Sequence, residues 1–204
     1  ATGTSVALFC VPSGHAGVRA ESCTFYDGQR VVRLHFESTT LPAPLWQGPV
    51  AEWNAALAAA DRLALLTHGA LTVGSMRKAR EITLDYTRTR RQFGRAVAHN
   101  QVVQHRLVDL MVEIEEAHAL VGATAERLDG GQPDPRWPSA AGASVAGAAR
   151  RTWQETVQLH GAIGITQECE AAAYVKRLAL ASTLHGTETA HLQDLAALSL
   201  GPSN

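Results

Sequence analysis

Two short runs carry the side chains best suited to chemistry. The first is Arg90-Arg91-Gln92-Phe93-Gly94, followed by Gln101-Val102-Val103-Gln104-His105-Arg106-Leu107 and then Asp109-Leu110-Met111. The second is Val157-Gln158-Leu159-His160-Gly161-Ala162-Ile163-Gly164. Guanidinium groups beside an amide and an aromatic ring can grip a phosphate. Glycine lets a backbone approach such a group closely. The same arginines also suit the negative end of a helix, so charge alone leaves both readings open. Gln101 and Gln158 read equally well as exposed helix residues, and Gly161 and Gly164 as a helix end. A third run, His185-Gly186-Thr187-Glu188, places an imidazole that titrates near neutrality beside a helix start. Thr187 can cap that helix and Glu188 suits its positive end, so this part needs no catalysis to explain it.

Helices must position these residues. From Val50 the pattern turns helical, and a first long helix is expected over residues 50–91, with Val73, Met76, Ile82 and Tyr86 striped on one face. Three arginines fall in its last turns, and Gly94 supplies the break. A second helix is expected over 98–128, with Val103, Leu107, Leu110, Ile114 and Val121 close to a 3.6-residue period. It stops at Asp129-Gly130-Gly131. A third starts near Pro138, a favoured first-turn residue, and reaches about residue 159. Its Ala141, Gly142, Ala143, Ala146, Gly147, Ala148 and Ala149 are small enough for close helix approach. A fourth is expected over 168–182 and a short fifth over 187–199. Long helices with short connections make an antiparallel bundle.

Residues 1 to about 47 read as β structure. Ser5 to Val11, Val18 to Thr24 and Arg30 to Phe36 are candidate strands, with Asp27-Gly28 as a hairpin turn. Three strands cannot close a sandwich alone. Leu41 to Pro49 reads as a linker punctuated by proline and glycine. The expected division is therefore 1–47 and 48–204. The fold class is mainly α: a helical bundle preceded by a partial antiparallel β-domain. The chain begins at Ala1, in the middle of what reads as a strand, so further sequence is expected before it.

Composition excludes several function classes. Of 204 residues, 46% are hydrophobic and 18% charged, as in a soluble globular protein. The net charge of −1 gives no electrostatic reason to invoke nucleic acid or an anionic membrane. Cys10, Cys23 and Cys169 are an odd number without C-x-x-C spacing, so neither a disulfide framework nor a zinc site is expected, and a cytoplasmic location is. His118, His160 and His191 lack ligand spacing with a third partner, so no metal is expected. No apolar run approaches the roughly 20 residues of a membrane span.

The Arg90-x-Gln92-Phe93-Gly94 run with its downstream Gln101, Leu107 and Met111 resembles the signature between the first two helices of the acyl-CoA dehydrogenase C-terminal domain. Gln158-x-x-Gly161-Ala162-x-Gly164 is similar to the family's Gln-x-x-Gly-Gly-x-Gly loop. His185-Gly186-Thr187 stands where the family usually reads Glu-Gly-Thr. The resemblance covers nearly the whole chain but not the whole family fold, since this sequence does not include the N-terminal helical domain and the first part of the middle β-domain. It implies FAD as cofactor, at a subunit interface. Arg90, Gln92 and Phe93 would hold the diphosphate and adenosine portion, with Val97 and Gln101 on the adenine side. Gln158, Gly161 and Ala162 would touch the same dinucleotide from the partner subunit, with Thr187 a further contact. Ala162 departs from the family's second glycine.

The implied chemistry is α,β-dehydrogenation of an acyl-CoA thioester, in which a base must reach the α-proton. In many family members that base is the Glu of Glu-Gly-Thr, and here the position holds His185. Others place it on the first long helix, near Ala64 by ungapped counting, where the nearest acid is Asp61, about one turn away. Neither position holds a carboxylate. His185 reads as a substitute base, a spacer in a degenerate site, or a residue packed against the bundle. The expectation is the FAD-binding, carboxylate-lacking subunit of an α2β2-type complex paired with a homologous subunit, passing electrons to an electron-transfer flavoprotein. The alternatives are a self-sufficient homo-oligomer using His185 or Asp61, and a flavin-dependent oxygenase or flavin-free scaffold on the same fold.

Overall fold

The computed structural model describes residues 5–132 and 134–201. The chain divides after Arg62, inside the first helix, into two compact units.

The first unit contains two antiparallel strand pairs. Strand β1 (Ser5–Leu8) pairs with β4 (Trp46–Pro49), and β2 (Val18–Thr24) pairs with β3 (Arg30–Phe36). The β2–β3 turn closes through Phe25 N–H to the Gln29 carbonyl at 2.9 Å, with Gly28 at φ 91°. That is the hairpin that Asp27-Gly28 signals. Two expectations need correction. The first strand ends at Leu8 rather than Val11. The stretch read as a linker contains β4, whose proline and glycine are tolerated because it is a short strand with one partner. Trp46 of β4 stacks on Trp53 of the following helix, with ring centroids 6.2 Å apart.

The second unit is an antiparallel helical bundle. Helix α1 spans Val50–Thr89, α2 Gln101–Asp129, α3 Arg136–His160, α4 Ala172–Leu184 and α5 Glu188–Leu200. Between α1 and α2 lie two-residue strands β5 (Arg91–Gln92) and β6 (Arg95–Ala96) and a 3₁₀ turn, Val97–His99. A second 3₁₀ turn, Gly161–Ile165, follows α3. The hydrophobic stripes face inward as their period requires: Val73, Met76 and Ile82 of α1 are buried, as are all five stripe residues of α2. Small residues let α3 sit among its neighbours, and Ala141, Val145 and Ala149 join Met76, Ile114 and Leu178 in one core. Gly69 serves the same end, since a Cβ there would lie 3.1 Å from a methyl of Val121.

Threonine is unusually common in this core. Thr83 and Thr124 each return their hydroxyl to the carbonyl one turn back, at 2.7 Å, which satisfies the buried oxygen. The α2–α3 loop is pinned differently. Arg127 lies 4.0 Å from the Trp137 ring centroid, and Arg136 makes two-pronged contacts to Asp134 that hold its carboxyl down at about 2. Helix α3 starts two residues before Pro138, and α4 four residues later than expected. The chain spends 161–171 in the 3₁₀ segment and following turns instead.

Candidate functional site

Helix α1 stops at Thr89, so only Arg88 occupies its last turn. Arg90 N–H still bonds the Tyr86 carbonyl at 2.8 Å, but the backbone then extends into β5. This corrects the expectation of a helix through residue 91: Arg90 and Arg91 lie past the negative helix end rather than within its last turn. Gln92 pairs with Arg95 across a turn in which Phe93 and Gly94 both have positive φ, 51° and 79°. Gly94 adopts this conformation readily, whereas a bulky side chain such as Phe93 rarely does. Val97 N–H to the Arg90 carbonyl, at 2.9 Å, closes the loop.

Opposite this hairpin, α3 ends at His160. Its C-cap Gly161 has φ 67° and ψ −142°, a combination that essentially requires glycine. Nothing stands within 4 Å of where a Cβ would project, so the Gly161 backbone is open to approach. Gly164 is constrained for another reason. A Cβ there would meet the Val157 carbonyl oxygen at 2.8 Å and the Val157 Cα at 3.0 Å. Gly164→Ala must therefore push the 3₁₀ turn off α3, at a cost of about 1–3 kcal/mol. The expected result is a lower melting temperature together with weaker ligand retention at the adjoining cavity. A variant that melts and binds like the wild type would show that the turn moves freely.

The two runs meet at one cavity of about 700 Å³, within the size range of small-molecule sites. Arg90, Gln92 and Val97 line it from one side, and Gln158, Gly161 and Ala162 from the other. Val102, Val103 and Ile163 add apolar wall, and Arg106 adds a second cation. Arg106 is already engaged by Glu155 at 3.0 Å, whereas Arg90 has no ion-pair partner among the described residues. Cation, amides and apolar surface around one cavity suit a ligand that joins phosphate to a flat heteroaromatic ring.

Other candidates lie elsewhere. Phe93 is fully exposed at the hairpin tip, and Gln101 is the exposed first residue of α2. Thr187 caps α5, its hydroxyl accepting from Ala190 N–H at 3.2 Å. Asp61 is exposed on α1 and belongs to the first unit. His185 ends α4, where its ring lies against His68 with centroids 4.6 Å apart. His68, His185 and His191 line a separate void of about 10 Å³, scarcely room for one water. Among the described residues no group of three or more His, Cys, Asp or Glu side chains is arranged to hold a metal ion.

Tyr86 and His160 are site residues that the sequence reading did not assign. Tyr86 donates its hydroxyl to the His160 carbonyl at 3.2 Å, and the two rings stack with centroids 4.4 Å apart. The Nδ1 atom of His160 lies 2.8 Å from the Thr156 carbonyl, so Nδ1 carries the proton and donates it there. Together they clamp the end of α1 to the end of α3. The available signal was spacing: Tyr86 stands one helical turn before Arg90, but its place in the α1 stripe suggested core.

The chain is similar to known proteins. Residues 53–200 match the family described as acyl-CoA dehydrogenase, C-terminal domain. A probable acyl-CoA dehydrogenase of Mycobacterium tuberculosis, FadE25, is 30% identical over 162 residues, which are 78% of this chain and 41% of that protein. The chain thus spans about two fifths of the length of that relative. Among solved structures, a chain of the ChsE4-ChsE5 complex from Mycobacterium tuberculosis superposes with a TM-score of 0.81 at 24% identity, covering 97% of this chain and 53% of that one. A glutaryl-CoA dehydrogenase from Mycobacterium smegmatis, in complex with FADH2, gives 0.84 at 23% identity, covering 96% and 51%. Both structures share its fold.

Proposed function

The chain belongs to the acyl-CoA dehydrogenase family, and we propose that it is the FAD-binding, carboxylate-lacking subunit of a complex that dehydrogenates an acyl-CoA thioester between its α and β carbons. The observation that carries this reading is the convergence of Arg90, Gln92, Val97, Gln158, Gly161 and Ala162 on one cavity. The residues present fit the phosphate-bearing end of FAD. Arg90 and Gln92 would hold the diphosphate by charge-assisted and amide hydrogen bonds. The open Gly161 backbone would approach the same phosphates, and Val97 would face the adenine. Phe93, Gln101 and Thr187 lie outside the cavity lining, so their contacts would be made to the rest of the cofactor or to a partner. The chemistry that FAD supplies when bound is acceptance of the β-hydride.

The missing step is removal of the α-proton. His185 packs on His68, and Asp61 is an exposed helix residue. Neither is a carboxylate held in a pocket. The base would therefore come from a homologous partner subunit, which the pairing named in ChsE4-ChsE5 makes a reasonable model. Residues 1–47 would be the end of a middle β-domain and 48–204 the family's C-terminal domain. No helix among the described residues is long and apolar enough to cross a membrane. The complex would be cytoplasmic and would reduce an electron-transfer flavoprotein.

The test is the visible absorption spectrum of the full-length protein, purified alone and co-expressed with a homologous subunit. Flavin bands only in the pair, at fewer than one FAD per chain and bleached by an acyl-CoA, are the expected result. Full flavin occupancy and bleaching with this protein alone would overturn the reading and return His185 and Asp61 as candidate bases. Flavin without bleaching would indicate oxygen chemistry, and no flavin in either sample a scaffold.

A further inference from the structure

The void at His68, His185 and His191 has no part in the proposed cofactor cavity. Its geometry is nevertheless specific. The imidazole of His191, on α5, lies against two glycines. A Cβ on Gly142 of α3 would stand 2.6 Å from its Cε1, and one on Gly186 of the α4–α5 turn 2.9 Å from its Nε2. A side chain at either glycine would therefore displace the ring. The His191 backbone N–H bonds the Thr187 carbonyl at 3.1 Å, which ties the start of α5 to the turn that precedes it. Across the void, His68 of α1 packs on the His185 ring and has Nε2 3.4 Å from the Ala181 carbonyl of α4. Three imidazoles from three elements therefore meet at this void, His68 and His191 half-buried and His185 exposed at its edge.

Helix α5 depends on this arrangement. It buries no residue fully, and its Leu192, Leu198 and Leu200 are exposed. Its other polar tie is Glu188 to Arg150 at 2.8 Å. Glu188, Leu192 and Leu195 also lie along α3, so the His191 seat is one of several contacts that dock an element at the low end of local stability.

We propose that His191, seated between Gly142 and Gly186 beside His68 and His185, is a proton-operated latch that holds α5 and the α4–α5 turn on the bundle and releases them on acidification. The charged and titratable groups facing it are few. They are His68 from α1, His185 from the turn, and Asp194 from α5 itself. The remaining lining from α2, α3 and α4 is Val121, Ala141, Val145, Ala146 and Ala181, all uncharged. Burial lowers His191 and His68 below the ordinary histidine value; Asp194 opposes this at His191, and the Ala181 carbonyl opposes it at His68. The docked state therefore binds fewer protons than the released one. Its stability is whole above the ordinary value of about 6.5 and is lost as pH falls through the lowered values. Release would also free His185 and Thr187, which ride on the same turn.

Hydrogen–deuterium exchange of the full chain tests this, with protection factors corrected for intrinsic rates. Between about pH 7.5 and 5.5 the amides of residues 189–198 should lose protection by a factor of about two to ten, while α2 and the middle of α3 keep theirs. In His191→Gln, which retains a donor but does not titrate, that loss should shrink measurably, to the part that His68 contributes. Gly142→Ala, which fills the seat, should lower α5 protection at both pH values. Constant wild-type protection, an undiminished loss in His191→Gln, or a neutral Gly142→Ala would each overturn the latch. Should His191→Gln fail to fold, an NMR titration of His191 in the wild type decides: a value at or above about 6.5 is incompatible with the mechanism.

Discussion

Arg90→Ala should cost the protein most of its flavin. Arg90 lines the cavity, leaves the end of α1 without an ion-pair partner among the described residues, and is held by its own backbone bonds to Tyr86 and Val97. A hydrogen bond between charged groups at such a site contributes about 1.5–3 kcal/mol. Its removal therefore weakens retention by roughly 10- to 150-fold. Flavin content of the assembled complex after dialysis, read from its visible bands, reports this directly. Two controls give the result its meaning. Arg91→Ala, one residue on but outside the cavity lining, should leave retention within about twofold, because exposed contacts contribute little. Arg106→Ala should fall between them, since its guanidinium is already committed to Glu155. Wild-type flavin content in Arg90→Ala would move the dinucleotide away from this cavity.

The second large effect is on stability. Met76 is fully buried in the core formed by α1, α2, α3 and α4, beside Ile114 and Leu178. Met76→Ala removes its transfer energy and leaves a void that rigid helices fill poorly, at a cost of about 2–5 kcal/mol. For a chain of this size each kcal/mol lowers the melting temperature by roughly 2–4 °C, so a fall of about 4–20 °C is expected by calorimetry. The protein's other methionine supplies the contrast. Met111 is 42% exposed on α2, and Met111→Ala should stay within about 0.5 kcal/mol of the wild type. Equal effects at the two positions would contradict the packing described here.

Periodicity determined much of this protein from sequence alone. Helix patterns report which face turns inward, and the stripes of α1 and α2 turned inward almost residue for residue. The Asp27-Gly28 turn and its flanking strands were legible for the same reason: alternation and a tight turn are local properties. The small-residue run of α3 announced close packing before any partner was known. The residue types of the runs around Arg90 and Gln158 left a shared ligand and ordinary helix ends both open, and the structure brings the two runs to one cavity.

Tertiary structure decided what depends on distant partners. Strand β4 reads as a linker because its pairing with Ser5–Leu8 lies about forty residues away, and no local signal reports it. The β5–β6 hairpin puts Phe93 at a positive φ that its own preferences disfavour, so only the surrounding structure could impose it. Tyr86 looked like core because periodicity cannot separate a buried face from a cavity wall. His68, His185 and His191 are far apart in sequence and carry no motif. Only the packing of α1 and α5 around the α4–α5 turn brings them together. Side-chain spacing fixes the angle around a helix, but which helix stands opposite is set by the burial of the whole bundle.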